Sequence, residues 1–265
     1  MMLPLIVAVS LGLSVVMAAA WALQRRTHNA GWVDAVWSFG LGVAGVIYAL
    51  APMPGSAWPG ARQLLVAGLI AVWSLRLGLH LAERTRHGPE DSRYAQFRRD
   101  WGSGFEIHMF WFLQVQAAAA ALLAFSVFLA AHNPEPLGLG DLLGLALMAL
   151  AIVGAAVADA QLGNFRRDPT NRGKICADGL WSLSRHPNYF FEWLGWLTYP
   201  IFAINFQGTF PLGWLALSGP IFMYVLLVHV SGIPPLEQQM LRSRGDDYRA
   251  YQARTHAFFP WPRLG

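Results

Sequence analysis

The stretch Gly179-Leu-Trp-Ser-Leu-Ser-Arg-His-Pro-Asn-Tyr-Phe-Phe-Glu192 gathers the side chains best suited to chemistry. It passes from a polar loop into an apolar run at Pro187, and proline suits a first helical position because its missing N–H would be unpaired there anyway. Once a helix starts, Arg185 and Tyr189 stand four residues apart, as do Asn188 and Glu192, so each pair lines up on one strip. A helix N-terminus flanked by Arg185 and His186 favours a phosphate. The basic flank of an ordinary membrane helix would look similar, but Asn188 and Glu192 lie inside the apolar run, where uncompensated polar groups are costly.

Other candidates are scattered through apolar sequence. Asp34 has Trp32, Trp37 and Ser38 around it, and a carboxylate at such depth is either functional or hydrogen-bonded to a neighbouring helix. Trp73, Arg76, His80 and Glu83 recur at spacings of three and four and form one polar strip, which serves a substrate or pairs internally. Asp159 and Arg166 share a helical face, with Gln161 and Asn164 between them, and lead into the basic loop 166–174. Tyr248, Tyr251 and Arg254 point two hydroxyls and a guanidinium the same way; such a face stacks on a heterocycle and binds phosphate, or rests on lipid headgroups. The single cysteine, Cys176, excludes an intramolecular disulfide, and no metal site is expected.

The elements that position these residues are membrane helices. With 265 residues, 55% hydrophobic, 12 tryptophans and only 13% charged, the chain reads as an all-α integral membrane protein. Seven transmembrane helices are expected at roughly 2–23, 32–51, 61–83, 108–131, 141–164, 188–206 and 211–231. The first is kept as a helix because it exceeds a signal peptide's apolar core and lacks a basic start. Seventeen of the 19 lysines and arginines fall in alternate connections and the tail, Arg263 included, which predicts the N-terminus outside and the C-terminus cytoplasmic. Topology thus explains the formal charge of +4, and no nucleic acid is needed.

Several stretches carry local expectations. Residues 90–100 read as an amphipathic segment along the membrane surface. Gly40-Leu-Gly-Val-Ala-Gly45 matches a dinucleotide fingerprint by letter but lies within a span, where its glycines serve close helix approach. The tail has its helical register broken at Gly245, and a second helix is expected to end at Pro260. No repeat is visible, which fits a transporter poorly.

Three motifs, Asp159-x-Gln161-x-x-x-Phe165-Arg166, Ser184-Arg-His-Pro-Asn-Tyr-Phe-x-Glu192 and Gly245-x-x-Tyr248-x-x-Tyr251-x-x-Arg254-Thr255, resemble the membrane steroid 5α-reductase family in its bacterial branch, once catalogued as a domain of unknown function. The resemblance covers nearly the whole chain. It implies NADPH held by cytoplasmic loops and the last helices, and a 3-oxo-Δ4 steroid or similar enone drawn from the bilayer. It further implies a monomer in a bacterial inner membrane with its cofactor site facing the cytoplasm. Residues 1–131 would then mainly form the substrate cavity and 132–265 the cofactor region of one domain. Isoprenylcysteine-type membrane methyltransferases, which bind S-adenosylmethionine, share the Arg-His-Pro-x-Tyr pattern and are the competing class.

On this reading Arg166, Arg167, Arg172 and Lys174 are expected at the ribose 2′-phosphate, and Arg185, His186, Arg249 and Arg254 at the pyrophosphate. Asn188, Tyr189 and Glu192 face the nicotinamide, with Asp159, Gln161, Tyr248, Tyr251 and Thr255 completing the cofactor site. Trp32, Trp37, Ser38, Trp73, Arg76, His80 and Glu83 line the substrate. Animal steroid 5α-reductases use a glutamate in the second span and a tyrosine in the third; here Asp34 is nearest to the former, and Trp73 stands where the tyrosine is expected. Asp34 is therefore expected as the catalytic acid, kept protonated by an apolar site with few donors.

Overall fold

The computed structural model describes residues 2–53 and 59–262, so Arg263 lies outside the described residues. The elements are helical: α1 (Met2–Thr27), α2 (Trp32–Ala49), α3 (Ala61–His87), α4 (Ser92–Trp101), α5 (Phe105–Ala131), α6 (Leu139–Arg167), α7 (Leu180–Leu183), α8 (Pro187–Trp196), α9 (Thr198–Ala203), α10 (Ser218–Val225) and α11 (Ile233–Arg254). Six helical runs among the described residues are long and apolar enough to cross a membrane. The stretch expected as the sixth span is divided at Leu197 into α8 and α9. Pro200 explains the division: it has no N–H to offer the Trp196 carbonyl one turn earlier.

The last run, Pro211–Arg254, is 44 residues long and more than a bilayer needs. Its apolar part is a 3₁₀ segment Pro211–Leu217, then α10, then a π turn at Leu226–Val230. The α11 that follows is polar. As the sequence predicts, α11 is interrupted at Gly245, whose φ of 51° favours glycine. It ends at Arg254 rather than at Pro260, because Ser184 and His256 form a parallel bridge that draws the chain into an extended course.

Packing divides the chain after Leu142 and returns residues 199–219 to the first unit; the second holds 143–198 and the chain from Pro220 onward. In the first unit α2 packs chiefly on α3 and α5, and α1 on α5. Val9, Leu13, Met17 and Ala20 form the buried stripe of α1, while Leu3, Val7, Leu11 and Val15 stand exposed on another face. Large apolar side chains that face outward as well as inward suit a lipid surround. The glycine-rich part of α2 serves close approach, as expected: a Cβ at Gly42 would collide with Ser74, and one at Gly45 would come within 2.7 Å of Ile70 on α3.

Arg62, the exception to the basic-loop pattern, is buried and fully used. It donates to both Asp141 oxygens at 2.7 Å, and to the carbonyls of Asn133 (2.8 Å), Glu135 (2.5 Å) and Pro136 (3.0 Å). These account for all the N–H groups of a guanidinium, so none is left unpaired. In the second unit Phe191 of α8 occupies the space a Cβ at Gly154 of α6 would fill, and Trp181 donates its indole N–H to Ala158 O at 3.0 Å.

Candidate active site

Asp34 lies in the first turn of α2, where the helix N-terminus favours negative charge. Two side chains of α4 converge on it. Arg93 Nη2 donates to Oδ2 at 2.6 Å, and the Tyr94 hydroxyl donates to Oδ1 at 2.6 Å. Both partners of the ion pair are 19% exposed. Placement of α4 is local: Asp91 caps it by accepting from Arg93 N at 3.0 Å, while Glu90 accepts from Ala30 N at 2.9 Å and from Arg98 at 3.0 Å. Asp91 also takes Arg93 Nε and Arg84 Nη2, each at 3.0 Å. Burial works against charge on Asp91, but the Arg93 and Arg84 guanidiniums hold its carboxyl below the usual range.

This arrangement corrects one expectation. Asp34 is not in a donor-poor pocket: a guanidinium donates to one of its oxygens and a hydroxyl to the other, at a helix N-terminus, so in both contacts it is the acceptor. The hydroxyl donor on this carboxylate, Tyr94, is buried on α4 and did not stand out in the sequence. Ser38 and Trp37 are occupied near by, Ser38 Oγ donating to Asp34 O at 2.8 Å and Trp37 Nε1 to Gln116 O at 3.0 Å. Along α3, Trp73 is buried, Arg76 and His80 are half-buried and Glu83 is exposed; Trp32 is half-buried on α2.

In the second unit, Pro187 opens α8 as predicted, with His186 before it in a non-helical conformation. Arg185 consequently lies outside the helix and does not share a strip with Tyr189; His186 stacks on Tyr189 instead, centroids 5.6 Å apart. Arg185 donates its Nε to Glu237 at 2.7 Å and its Nη1 to Thr255 O at 2.5 Å. Its backbone N–H bonds His256 O at 2.8 Å, and Ser184 Oγ bonds Phe258 O at 2.8 Å. Glu237 also accepts from His186 Nε2 at 3.2 Å and from Gln252 at 2.8 Å. Burial would raise the Glu237 carboxyl, but hydrogen bonds from His186 and Arg185 and the guanidinium charge hold it at about 2. Burial also lowers His186, which is therefore a neutral imidazole giving its Nε2 hydrogen to Glu237.

Arg185 and His186, expected on a pyrophosphate, thus form a bolt between the loop and the tail, with Glu237 as the partner the sequence did not disclose. Tyr248, Tyr251 and Thr255 are buried in the same place, and the Tyr251 hydroxyl donates to Trp181 O. They secure the tail and do not form an open stacking face. Gln161 likewise is structural, its Oε1 accepting from Leu180 N at 3.0 Å.

What faces outward is the loop: Arg166, Arg167, Arg172 and Lys174 are exposed, as are Arg249, paired with Asp246 at 2.6 Å, and Arg254, 5.9 Å from the Tyr251 ring centroid. Asp159, Asn188, Tyr189 and Glu192 are half-buried on α6 and α8, and Asn188 Nδ2 donates to Asp159 Oδ1 at 3.2 Å. Cys176 is buried, which raises its thiol and keeps it protonated, and no cluster of metal-binding side chains occurs among the described residues.

Long apolar helices, with polar groups on α2 and α4 in one unit and on α6 and α8 in the other, define a polytopic helical membrane protein. Residues 20–255 match the family described as protein of unknown function DUF1295, and the chain belongs to that family. It is 27% identical to the uncharacterized protein C594.04c of Schizosaccharomyces pombe, over 91% of this chain and 75% of that one. No solved structure matches it.

Proposed function

We propose that the protein is a membrane reductase that saturates the carbon–carbon double bond of a 3-oxo-Δ4 steroid or a similar enone lipid, with NADPH as reductant. The observation that carries this reading is the Tyr94 hydroxyl held on the Asp34 carboxylate beside Arg93. Enone reduction needs a hydride at the β-carbon, a proton at the α-carbon and a donor for the oxyanion that develops on the carbonyl. NADPH, when bound, supplies the hydride. Tyr94 turns its hydroxyl from Asp34 to donate its one hydrogen to the carbonyl oxygen, so the acid expected at Asp34 moves to its neighbour.

The side chains present fit the cofactor selectively. The exposed Arg166, Arg167, Arg172 and Lys174 suit phosphate oxygens, and the half-buried Asp159, Asn188, Tyr189 and Glu192 suit a carboxamide. The buried Arg185, His186, Tyr248, Tyr251 and Thr255 support the loop from behind. The proposal includes seven crossings, α8 and α9 together making the sixth, with the N-terminus outside, the C-terminus in the cytoplasm and a bacterial inner membrane as the location.

The test is a cofactor titration on the purified protein. NADPH binds, and is oxidised only when progesterone or testosterone is present. Binding of S-adenosylmethionine without NADPH would place the protein with the methyltransferases.

A further inference from the structure

A tyrosine hydroxyl has one hydrogen, and that of Tyr94 is given to Asp34 Oδ1 at 2.6 Å. To serve a carbonyl, that hydrogen must leave a carboxylate that is 19% exposed, and a buried acceptor losing a strong donor resists the change. We propose that Arg93 is a positioning residue that retains Asp34 when Tyr94 turns to the substrate, so that the hydroxyl is released from one carboxylate oxygen while the guanidinium stays on the other. Its chemistry rests on the reductase reading.

The surroundings suit Arg93 to this task. Its Nη2 holds Asp34 Oδ2 at 2.6 Å, while its Nε and Nη2 hold the two oxygens of Asp91 at 3.0 and 3.1 Å. Asp91 is fixed in turn by Arg84 at 3.0 Å and by the backbone N–H of Arg93 at 3.0 Å. Positive and negative groups alternate from the end of α3, through the cap of α4, to the first turn of α2. The guanidinium therefore stays in place whether or not Tyr94 donates to Asp34. A single ammonium would lack the fork that reaches both carboxylates.

Arg93→Met leaves Tyr94 as the principal donor to Asp34, and a substrate must then compete for its hydrogen. Turnover per KM for the enone falls on the order of a hundredfold, comparable to loss of an oxyanion donor, while NADPH affinity is unchanged. Adding Asp34→Asn to Arg93→Met restores roughly tenfold, because a neutral amide releases the hydroxyl more readily than a carboxylate. Arg93→Lys is intermediate. Infrared difference spectra against Asp34→Asn isolate the Asp34 carboxylate band without recourse to activity, and both Arg93→Met and Tyr94→Phe shift that band.

The outcomes separate the two readings. If the band shifts but wild-type protein reduces no enone, the reductase reading fails and the carboxylate arrangement stands. If wild-type protein turns over and Arg93→Met matches it in kcat and KM, the inference is wrong. It is also wrong if the double variant is no better than Arg93→Met, since Arg93 would then only stabilise the fold.

Discussion

Arg185 is buried with its guanidinium on Glu237 and tail carbonyls, whereas Arg166, Arg167, Arg172 and Lys174 stand exposed in the preceding segment. A guanidinium that must abandon a buried carboxylate is a poor phosphate ligand, so the proposed function assigns recognition of the ribose 2′-phosphate to the exposed group. Arg166→Ala or Arg167→Ala is expected to weaken NADPH roughly tenfold or more while changing NADH little, the loss of one charge-assisted bond. Arg254→Ala weakens both cofactors. Isothermal titration with the two nucleotides checks this, and equal losses from all three variants would show the 2′-phosphate site to be elsewhere. Residue type was legible in the sequence; burial was not. Asp34 stood out because a carboxylate is rare in an apolar run. Tyr94 did not, because a tyrosine on an amphipathic helix reads as an interfacial anchor, and only the fold brings its hydroxyl to Asp34.

At the scale of elements, local punctuation carried furthest. Pro187 opens α8, Gly245 interrupts α11, and the polar segment before α5 forms α4, each from a signal within a few residues. The end of α11 at Arg254 depended on a strand-like bridge to Ser184, a long-range event that no local pattern announces. The bolt at Glu237 also has a pH signature. Glu237 sits near 2 in the fold against an ordinary 4.5, so its contribution is full above the ordinary value and is lost as pH falls toward 2. His186 is lowered from its ordinary 6.5, so below that pH the unfolded chain takes up a proton the folded one resists, and docking weakens in the same direction. Tail docking is therefore expected to loosen progressively in acid. Limited proteolysis in the tail, or its amide exchange, measured against pH reads this directly. Glu237→Ala, which strands the buried Arg185, costs about 3–5 kcal/mol and exposes the tail at neutral pH. A tail equally protected in that variant would mean that backbone bonds alone hold it.

For the whole molecule, helical membrane character was legible from composition, and the expectation that the glycines of α2 serve close helix approach is met at Gly42 and Gly45, the structure supplying α3 as the partner. The break between α8 and α9 was less visible, since Pro200 lies in an otherwise apolar run. Arg62, a basic residue outside the loop pattern, is committed to Asp141 and three carbonyls, a structural role that a count of basic residues does not disclose. The proposed seven crossings put Gln207 outside and Asp168 in the cytoplasm. Single cysteines there, in a Cys176→Ala background, are expected to react with an impermeant maleimide from opposite faces of the membrane. Reaction of both from one face would mean that 187–203 turns back within the bilayer. The central claim, enone reduction by NADPH, is tested most directly by following the hydride. Purified protein given NADPH deuterated at the transferable position, together with progesterone, is predicted to yield the saturated 3-ketone with deuterium at the former β-carbon and solvent hydrogen at the α-carbon. Absence of any saturated product, with a methyl group transferred from S-adenosylmethionine to a lipid acceptor under the same conditions, would contradict it.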